Sequence, residues 1–221
     1  MLVLKFGGTS LGDVAALSRT TQIAAHTDPP LAVVVSAMGK TTDQLLEAGT
    51  KAEGGDRDGA TRLVDRIREL HAEAVGKDDA LGERVEALLR ELASVLEGVR
   101  LLREQTSRSR ALLTSFGERL CAEVFAAKLS EQGKPAQAVD ARSLIITDER
   151  YESATVRSEE TARRTREGLR PLMDKGITPV VTGFIASTPT GVTSTLGRSG
   201  SDYTATLVGA ALGAEEIVIY T

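Results

Sequence analysis

The chain has no tryptophan, one cysteine, two histidines and only 3% aromatic residues. A single thiol, Cys121, excludes an internal disulfide framework and leaves too few sulfur ligands for a structural zinc site. Two histidines, His26 and His71, exclude a histidine-rich metal centre, and neither has a triad partner in the sequence, so acyl transfer has no candidate base. Long apolar runs are missing: none approaches the ~18 residues that cross a bilayer. Met1–Lys5 lacks the basic and long apolar stretches of a secretory signal. An excess of positive charge is missing too. The 27 basic and 31 acidic residues give a net charge of −4, with no electrostatic footprint for nucleic acid. With so few aromatics the core has to be aliphatic. What remains is 221 residues, 41% hydrophobic and 26% charged. That is enough for one large α/β domain and too apolar for a disordered chain, and a cytoplasmic location is expected.

Strand and helix signals alternate along the chain. Leu2–Phe6 is a short apolar run followed at once by Gly7-Gly8-Thr9-Ser10, a strand and then a glycine loop. Asp13 caps a helix to about His26, with Val14, Leu17, Ile23 and Ala24 on its apolar side, and Asp28-Pro29-Pro30 breaks it. Leu31–Val35 reads as a strand buried on both faces. A hydroxyl-rich loop, Ser36 to Thr42, leads into a helix from Asp43. After the polar break at 53–59, residues 60–76 and 80–104 carry helical stripes. The second stripe runs Leu81, Val85, Leu88, Leu92, Val95, Val99, Leu102. These two helices are expected to form a hairpin insertion at about 60–105. Further on come a helix at 110–132, a strand at 136–140 and a short one near 144–146. Ser158-Glu159-Glu160 caps the next helix, and a strand follows over 179–185. Thr190 to Thr195 reads as a turn and short strand. Ser201-Asp202 caps a small-residue helix to Leu212, and Ile217–Tyr220 closes as a buried strand. The expected fold is a three-layer αβα sandwich around a mostly parallel sheet.

Four segments carry candidate chemistry. Lys5 stands at a strand end before two glycines, where backbone N–H groups and a helix start suit a phosphoryl group. The alternative is an ordinary β–α turn with an exposed lysine. Gly39-Lys40-Thr41 is not a P-loop, because Val34 stands where that motif requires glycine. Gly7–Gly12 is not the dinucleotide G-x-G-x-x-G. In Thr195–Asp202, Gly197 and Gly200 tighten a loop, Arg198 offers a fork for a carboxylate, and Ser201 and Asp202 stand at a helix start. Asp202 as a plain N-cap is the alternative there. Glu118 lies mid-helix beside Gly117, a placement that suggests close approach by backbone or ligand. It either binds a substrate ammonium or is solvated or paired with an arginine. Ser36 to Thr42 ends a strand, and in parallel sheets ligands bind outside such ends. Cys121 reads as an inert core thiol.

Six segments occur here in the order seen in aspartate kinases, within the amino acid kinase superfamily. They are Lys5–Ser10, Val35–Asp43, Ser115–Glu118, Asp140–Asp148, Val181–Ile185 and Thr195–Thr204. The resemblance implies that Lys5 neutralises the transferring phosphoryl group and that Asp202 orients the catalytic lysines. It implies a phosphate loop of Gly7, Gly8, Thr9 and Ser10. Arg198 would grip the substrate α-carboxylate and Glu118 its α-ammonium. Ser36, Thr42 and Ser201, with neighbouring Ser199 and Gly200, would line the aspartate pocket, and Phe184 would form one wall. Thr221 would touch the nucleotide. The implied reaction is transfer of the γ-phosphoryl of MgATP to the side-chain carboxylate of L-aspartate, the entry to lysine, threonine and methionine synthesis. The Mg²⁺ would be held mainly by the nucleotide, with no protein metal site. The implied partners are L-aspartate, ATP and a second copy in a homodimer. Family members continue past Thr221, and most append ACT-type modules that bind amino acid effectors. The chain is therefore expected to be cut within the catalytic domain, with the sheet incomplete at its C-terminus. A non-catalytic aspartate- or phosphate-binding fragment, or a related kinase with another acidic substrate, remains the alternative.

Overall fold

The computed structural model describes residues 1–28 and 30–221. Pro29, within the helix break read from the sequence, lies outside the described residues. The elements run β1 (Leu2–Phe6), α1 (Val14–His26), β2 (Leu31–Val35), α2 (Thr41–Glu53), α3 (Arg57–Val75), α4 (Asp79–Leu102), α5 (Ser107–Glu131) and β3 (Ala136–Val139). After these come α6 (Ser158–Met173), β4 (Thr178–Thr182), β5 (Ile185–Ser187), β6 (Thr193–Thr195), α7 (Gly200–Leu212) and β7 (Glu216–Tyr220).

Five strands form a parallel sheet in the order β3-β4-β2-β1-β7. Side chains alternate across a strand, and here both sides are apolar. Leu4, Phe6, Val33, Val35 and Val180 join one core with residues of α1 to α5. Val3, Ala32, Val34 and Val181 join a second core with Leu169 of α6 and Ala205, Val208 and Leu212 of α7. This produces the continuous apolar runs of β1 and β2 and the three layers of an αβα sandwich. Register aligns the strand ends: Lys5 sits opposite Val34 and Ile219, and Val34 opposite Val181. One more rung continues past the strands, with Ser36 N–H donating to Phe6 O at 3.0 Å, Gly7 N–H to Tyr220 O at 3.1 Å and Gly183 N–H to Val35 O at 2.8 Å.

Side-chain oxygens start four helices, of which only the one at Asp13 is marked in the sequence. Asp13 accepts from Ala16 N–H, Asp56 from Gly59, Asp78 from Leu81 and Thr106 from Ser109. Other expectations are corrected. The α2 helix begins at Thr41, two residues before Asp43, and α5 at Ser107. Ser158 is the first helical residue of α6; Arg157 precedes it and no side chain caps that end. Ile23 is exposed on α1. The expected strand 179–185 is two: β4 stops at Thr182, and β5 leaves in another direction to pair antiparallel with β6. Residues 144–146 form no strand beyond the isolated bridge of Ile146 to Ser187. The β7 strand is an edge strand rather than a buried one, with Ile219 44% exposed.

The α3–α4 hairpin exists, but its packing is not that of an appendage. Leu63, Val64, Ile67, Leu81, Val85, Leu89, Leu92, Leu96 and Val99 belong to the same apolar core as Leu4 and Val33 of the sheet. The α4 stripe is rotated from the one expected. Leu89 and Leu96 are buried, Leu88 and Val95 half-buried, and Leu102 is exposed at the helix end beside left-handed Arg103.

Candidate active site

Alternation along β1 puts Lys5 on the Val3 side of the sheet, facing α7. The first turn of α7 carries Asp202. Lys5 Nζ lies 2.8 Å from Asp202 Oδ1, and the lysine is buried while the aspartate is half-exposed. The contact is one of charge, because Oδ1 receives no directed hydrogen bond. Asp202 is therefore not the helix cap expected of it. Ser199 holds the N-cap position in a left-handed conformation, φ +56°, and no side chain caps that end.

Ser36 follows β2 and enters from the next strand. Both Lys5 Nζ and Ser36 Oγ pass the bare Cα of Gly7, where a Cβ would stand 2.5 and 2.6 Å from them. A larger residue there would displace the crossing Lys5 and Ser36 side chains, while the extended backbone of Gly7 sets no such demand. Gly8 (φ +56°) then opens a single 3-10 turn, Gly8–Leu11, whose first N–H groups have no intrahelical acceptor. Thr9 is exposed and Ser10 half-buried on that turn. Thr221 lies against Gly8, with its Cα 3.9 Å from where a Cβ on Gly8 would be.

Glu118 comes from below, out of the middle of α5. That helix runs through the core, with Phe116, Leu120, Cys121, Val124 and Phe125 all fully buried. Gly117 permits the contact with the β2 loop: a Cβ there would stand 2.7 Å from Ala37 Cβ. The approach inferred from a mid-helix glycine is thus met by the Ala37 side chain of the loop after β2. Glu118 is 3% exposed. Its Oε1 accepts a long 3.4 Å bond from Ala37 N–H, and its Oε2 has no partner. The glutamate is not paired with the neighbouring arginine. Arg119 turns away to a bidentate pair with Glu91 and lies over the Phe116 ring. Burial pushes the Glu118 carboxyl up to about 8, against a smaller opposing effect of its backbone hydrogen bonds. Burial also pushes the Cys121 thiol up, with Glu118 adding to it, so this sulfur stays a thiol.

These groups share one cleft of about 360 Å³. Lys5, Gly8, Ser36, Thr42, Glu118, Phe184, Ser199, Gly200, Ser201 and Asp202, all singled out in the sequence, line it. Ala37, Gly39 and Gly197 line it as well. Gly197 is read in the sequence only as tightening its loop, and none of the three is marked there as a site residue; lining by a small residue leaves no chemical signature. Arg198 is exposed between two lining residues and is not itself part of the wall. Gly7, Thr9, Ser10 and Thr221 lie beyond it on the phosphate-loop side. A cleft at aligned strand ends, with one buried cation, one unpaired buried carboxylate and a glycine turn, is suited to hold an anion beside an ammonium.

Among the described residues no group of three or more histidine, cysteine or acidic side chains could cage a metal ion, and no helix is long and apolar enough to cross a membrane.

The fold is a three-layer α/β sandwich with a polar cleft at its strand ends, and comparison with known proteins assigns it to a family. Residues 1–221 match the model of the Amino acid kinase family, and the chain belongs to that family. It is 37% identical over 230 residues to aspartokinase 3, chloroplastic, of Arabidopsis thaliana, covering 99% of this chain and 40% of that protein. It is 31% identical to the lysine-sensitive aspartokinase 3 of Escherichia coli, covering 100% and 49%. Among solved structures it resembles E. coli aspartokinase III in complex with aspartate and ADP, with TM-score 0.91 and 32% identity over 100% of this chain and 49% of that one. An isopentenyl phosphate kinase shares the fold alone, with TM-score 0.56 and 16% identity over 100% of this chain and 71% of that one. The chain thus spans less than half the length of these aspartokinases.

Proposed function

We propose that this chain carries the amino-acid site and phosphate loop of an aspartate kinase, which transfers the γ-phosphoryl group of MgATP to the side-chain carboxylate of L-aspartate. The observation that carries this reading is the unpaired Oε2 of Glu118, buried in the same cleft as Lys5. A buried carboxylate without a partner is costly, and a substrate ammonium would satisfy it. The likeness to an aspartokinase with aspartate and ADP bound supports the same assignment.

The chemistry follows from the residues. An aspartate side chain has a reference pKa near ~3.9 and is already ionised at neutral pH, so the acceptor needs no general base. That suits a cleft without histidine. The barrier lies in bringing one anion against another, and positioning with charge screening lowers it. Lys5 supplies a fixed positive charge, held by Asp202 at the end of β1. The 3-10 turn after Gly7 offers N–H donors to phosphate oxygens. Glu118 takes the α-ammonium, and Ser36, Thr42, Ser201 and the Phe184 ring bound the rest of the amino acid. Arg198, exposed at the rim, is placed to close on the α-carboxylate. The single carboxylate at the phosphate side, Asp202, is engaged by Lys5. Mg²⁺ would therefore arrive held by the nucleotide phosphates, where it neutralises charge on the transferring group. A homodimer is the expected assembly, as the family resemblance implies.

Calorimetry with the 221-residue chain tests the reading. L-Aspartate is expected to bind, and L-glutamate and N-acetyl-L-aspartate, which lacks the ammonium, to bind at least tenfold more weakly. Equal binding of aspartate and its N-acetyl form, or no binding by the folded chain, would refute it. Hydroxylamine trapping with MgATP then reports whether aspartyl phosphate is formed.

A further inference from the structure

Three of the four non-glycine residues with positive φ among the described residues crowd one wall of the cleft. Phe184 (φ +65°) and Ser199 (φ +56°) line it. Ser153 (φ +55°) packs against Gly197 from behind. For a phenylalanine the left-handed region is an outlier, and such strain persists only where the surroundings over-determine it.

The surroundings of Phe184 are specific. Its N–H donates to Thr204 Oγ1 at 3.1 Å, and its C=O accepts from Leu196 N–H at 2.8 Å. Thr204 is fully buried in α7, and its hydroxyl in turn donates to Gly200 O at 2.9 Å. One hydroxyl thereby ties the bend between β4 and β5 to the first turn of α7. That turn carries Ser201 and Asp202, the partner of Lys5. The fit is close: a Cβ on Gly200 would stand 2.8 Å from the Phe184 ring.

We propose that Thr204, which touches neither cleft nor substrate, is a positioning residue for the acceptor amino acid. Its hydroxyl holds Phe184 in the left-handed conformation and fixes the ring, Ser201 and Asp202 as one wall. The idea deepens the aspartate kinase reading and rests on it for the identity of the ligand, while the clamp itself is testable without ligand. The same hydroxyl serves as acceptor for the strained residue and as donor to the helix turn. Valine, which matches threonine in shape, therefore removes both bonds, and serine keeps both.

The experiment uses the 221-residue chain as wild type, Thr204→Val and Thr204→Ser. Amide hydrogen exchange at Phe184 is read by NMR, and L-aspartate and MgADP binding by calorimetry. Thr204→Val is expected to raise exchange at Phe184 at least tenfold and to weaken aspartate about tenfold, the scale of ~1.4 kcal/mol. MgADP affinity should stay within twofold, and Thr204→Ser should restore wild-type values. Unchanged exchange in Thr204→Val overturns the clamp. Faster exchange with unchanged aspartate affinity overturns its positioning role. Equal weakening of aspartate and MgADP reduces Thr204 to a general structural residue and also overturns it. If the wild-type chain binds no aspartate, the functional reading fails, and the exchange measurement still decides the clamp. Should Thr204→Val not fold, Phe184→Gly and Phe184→Ala decide whether strain is held there. Glycine adopts positive φ freely, so the Gly variant should have an unfolding constant about tenfold smaller than the Ala variant. An Ala variant as stable as Gly refutes the proposal.

Discussion

In the cleft between α3 and α4, Arg68 donates to Asp65 and Glu86, and Arg100 makes a bidentate pair with Glu97. Each of these five side chains has its opposite charge within reach, and all are partly exposed to water. In the cleft at the strand ends, Glu118 is buried and one of its oxygens meets nothing. The two regions, about 180 and 360 Å³, are both lined by charges. What separates them is satisfaction. A solvated ion pair contributes ~0–1 kcal/mol and implies no ligand. A buried carboxyl left open is held protonated in the empty protein and ionises when a cation arrives to pair with it. The charge that marks a binding site is therefore the one whose partner is missing.

Several substitutions would break that contrast or sharpen it. The largest effect is expected from Lys5→Ala, with phosphoryl transfer falling about 10²–10³-fold or more, as for other lost charge-stabilising groups. Aspartate affinity should stay nearly unchanged; equal loss of both would remove Lys5 from the transfer step. Glu118→Gln should come next, weakening aspartate by about 30-fold, the order of ~2 kcal/mol for a charged partner lost. An unchanged dissociation constant would return Glu118 to a structural role.

Gly117→Ala presses a methyl group against Ala37 and should cost about 1–3 kcal/mol in chemical denaturation, as overpacking does. No loss would mean that the loop after β2 yields freely. The pH dependence has a definite sign. The folded chain holds a proton on Glu118 up to about pH 8, whereas an unfolded glutamate releases it near 4.5. That contribution to stability is full below pH 4.5 and is lost as pH rises toward 8. A bound ammonium draws the proton off, so aspartate affinity should rise between pH 6 and 8 with proton release. Glu118→Gln should flatten both slopes. Smallest of all, Arg100→Ala should change stability by at most ~1 kcal/mol and leave aspartate binding alone. A large effect on binding would show that the hairpin cleft is coupled to the strand ends.

Much of this site was legible before any coordinates. Lys5, the glycine turn and Ser36 are marked by apolar runs that end abruptly, and in a parallel sheet such ends converge. Glu118 was marked by a glycine in the wrong place for a helix. What could not be read is three-dimensional in origin. Asp202 has the sequence context of a cap, and only the side of β1 on which Lys5 emerges shows why it turns inward. Phe184 continues an apolar run, so nothing local reports that the chain bends there. The bend is imposed by Thr204 and Leu196, 20 and 12 residues further on. Leu102 obeys the helical period yet lies past the last buried turn, where periodicity no longer implies a neighbour.

The pairing of β1 with β7 has a consequence for how the protein is made. Strand β1 takes β7 as one of its two neighbours, and Met1 meets Glu215, 214 residues further along the chain. Contacts so distant in sequence are slow to form. At about 5–20 residues per second, roughly 10–40 s pass between the synthesis of Lys5 and that of the strand beside it. During that time β1 holds one neighbour at most and presents an open apolar edge to the cell. The lysine at the centre of the cleft is thus made well before the strand that encloses it on one side, and nascent chains stalled before Glu216 should be more dependent on chaperones than those that include β7.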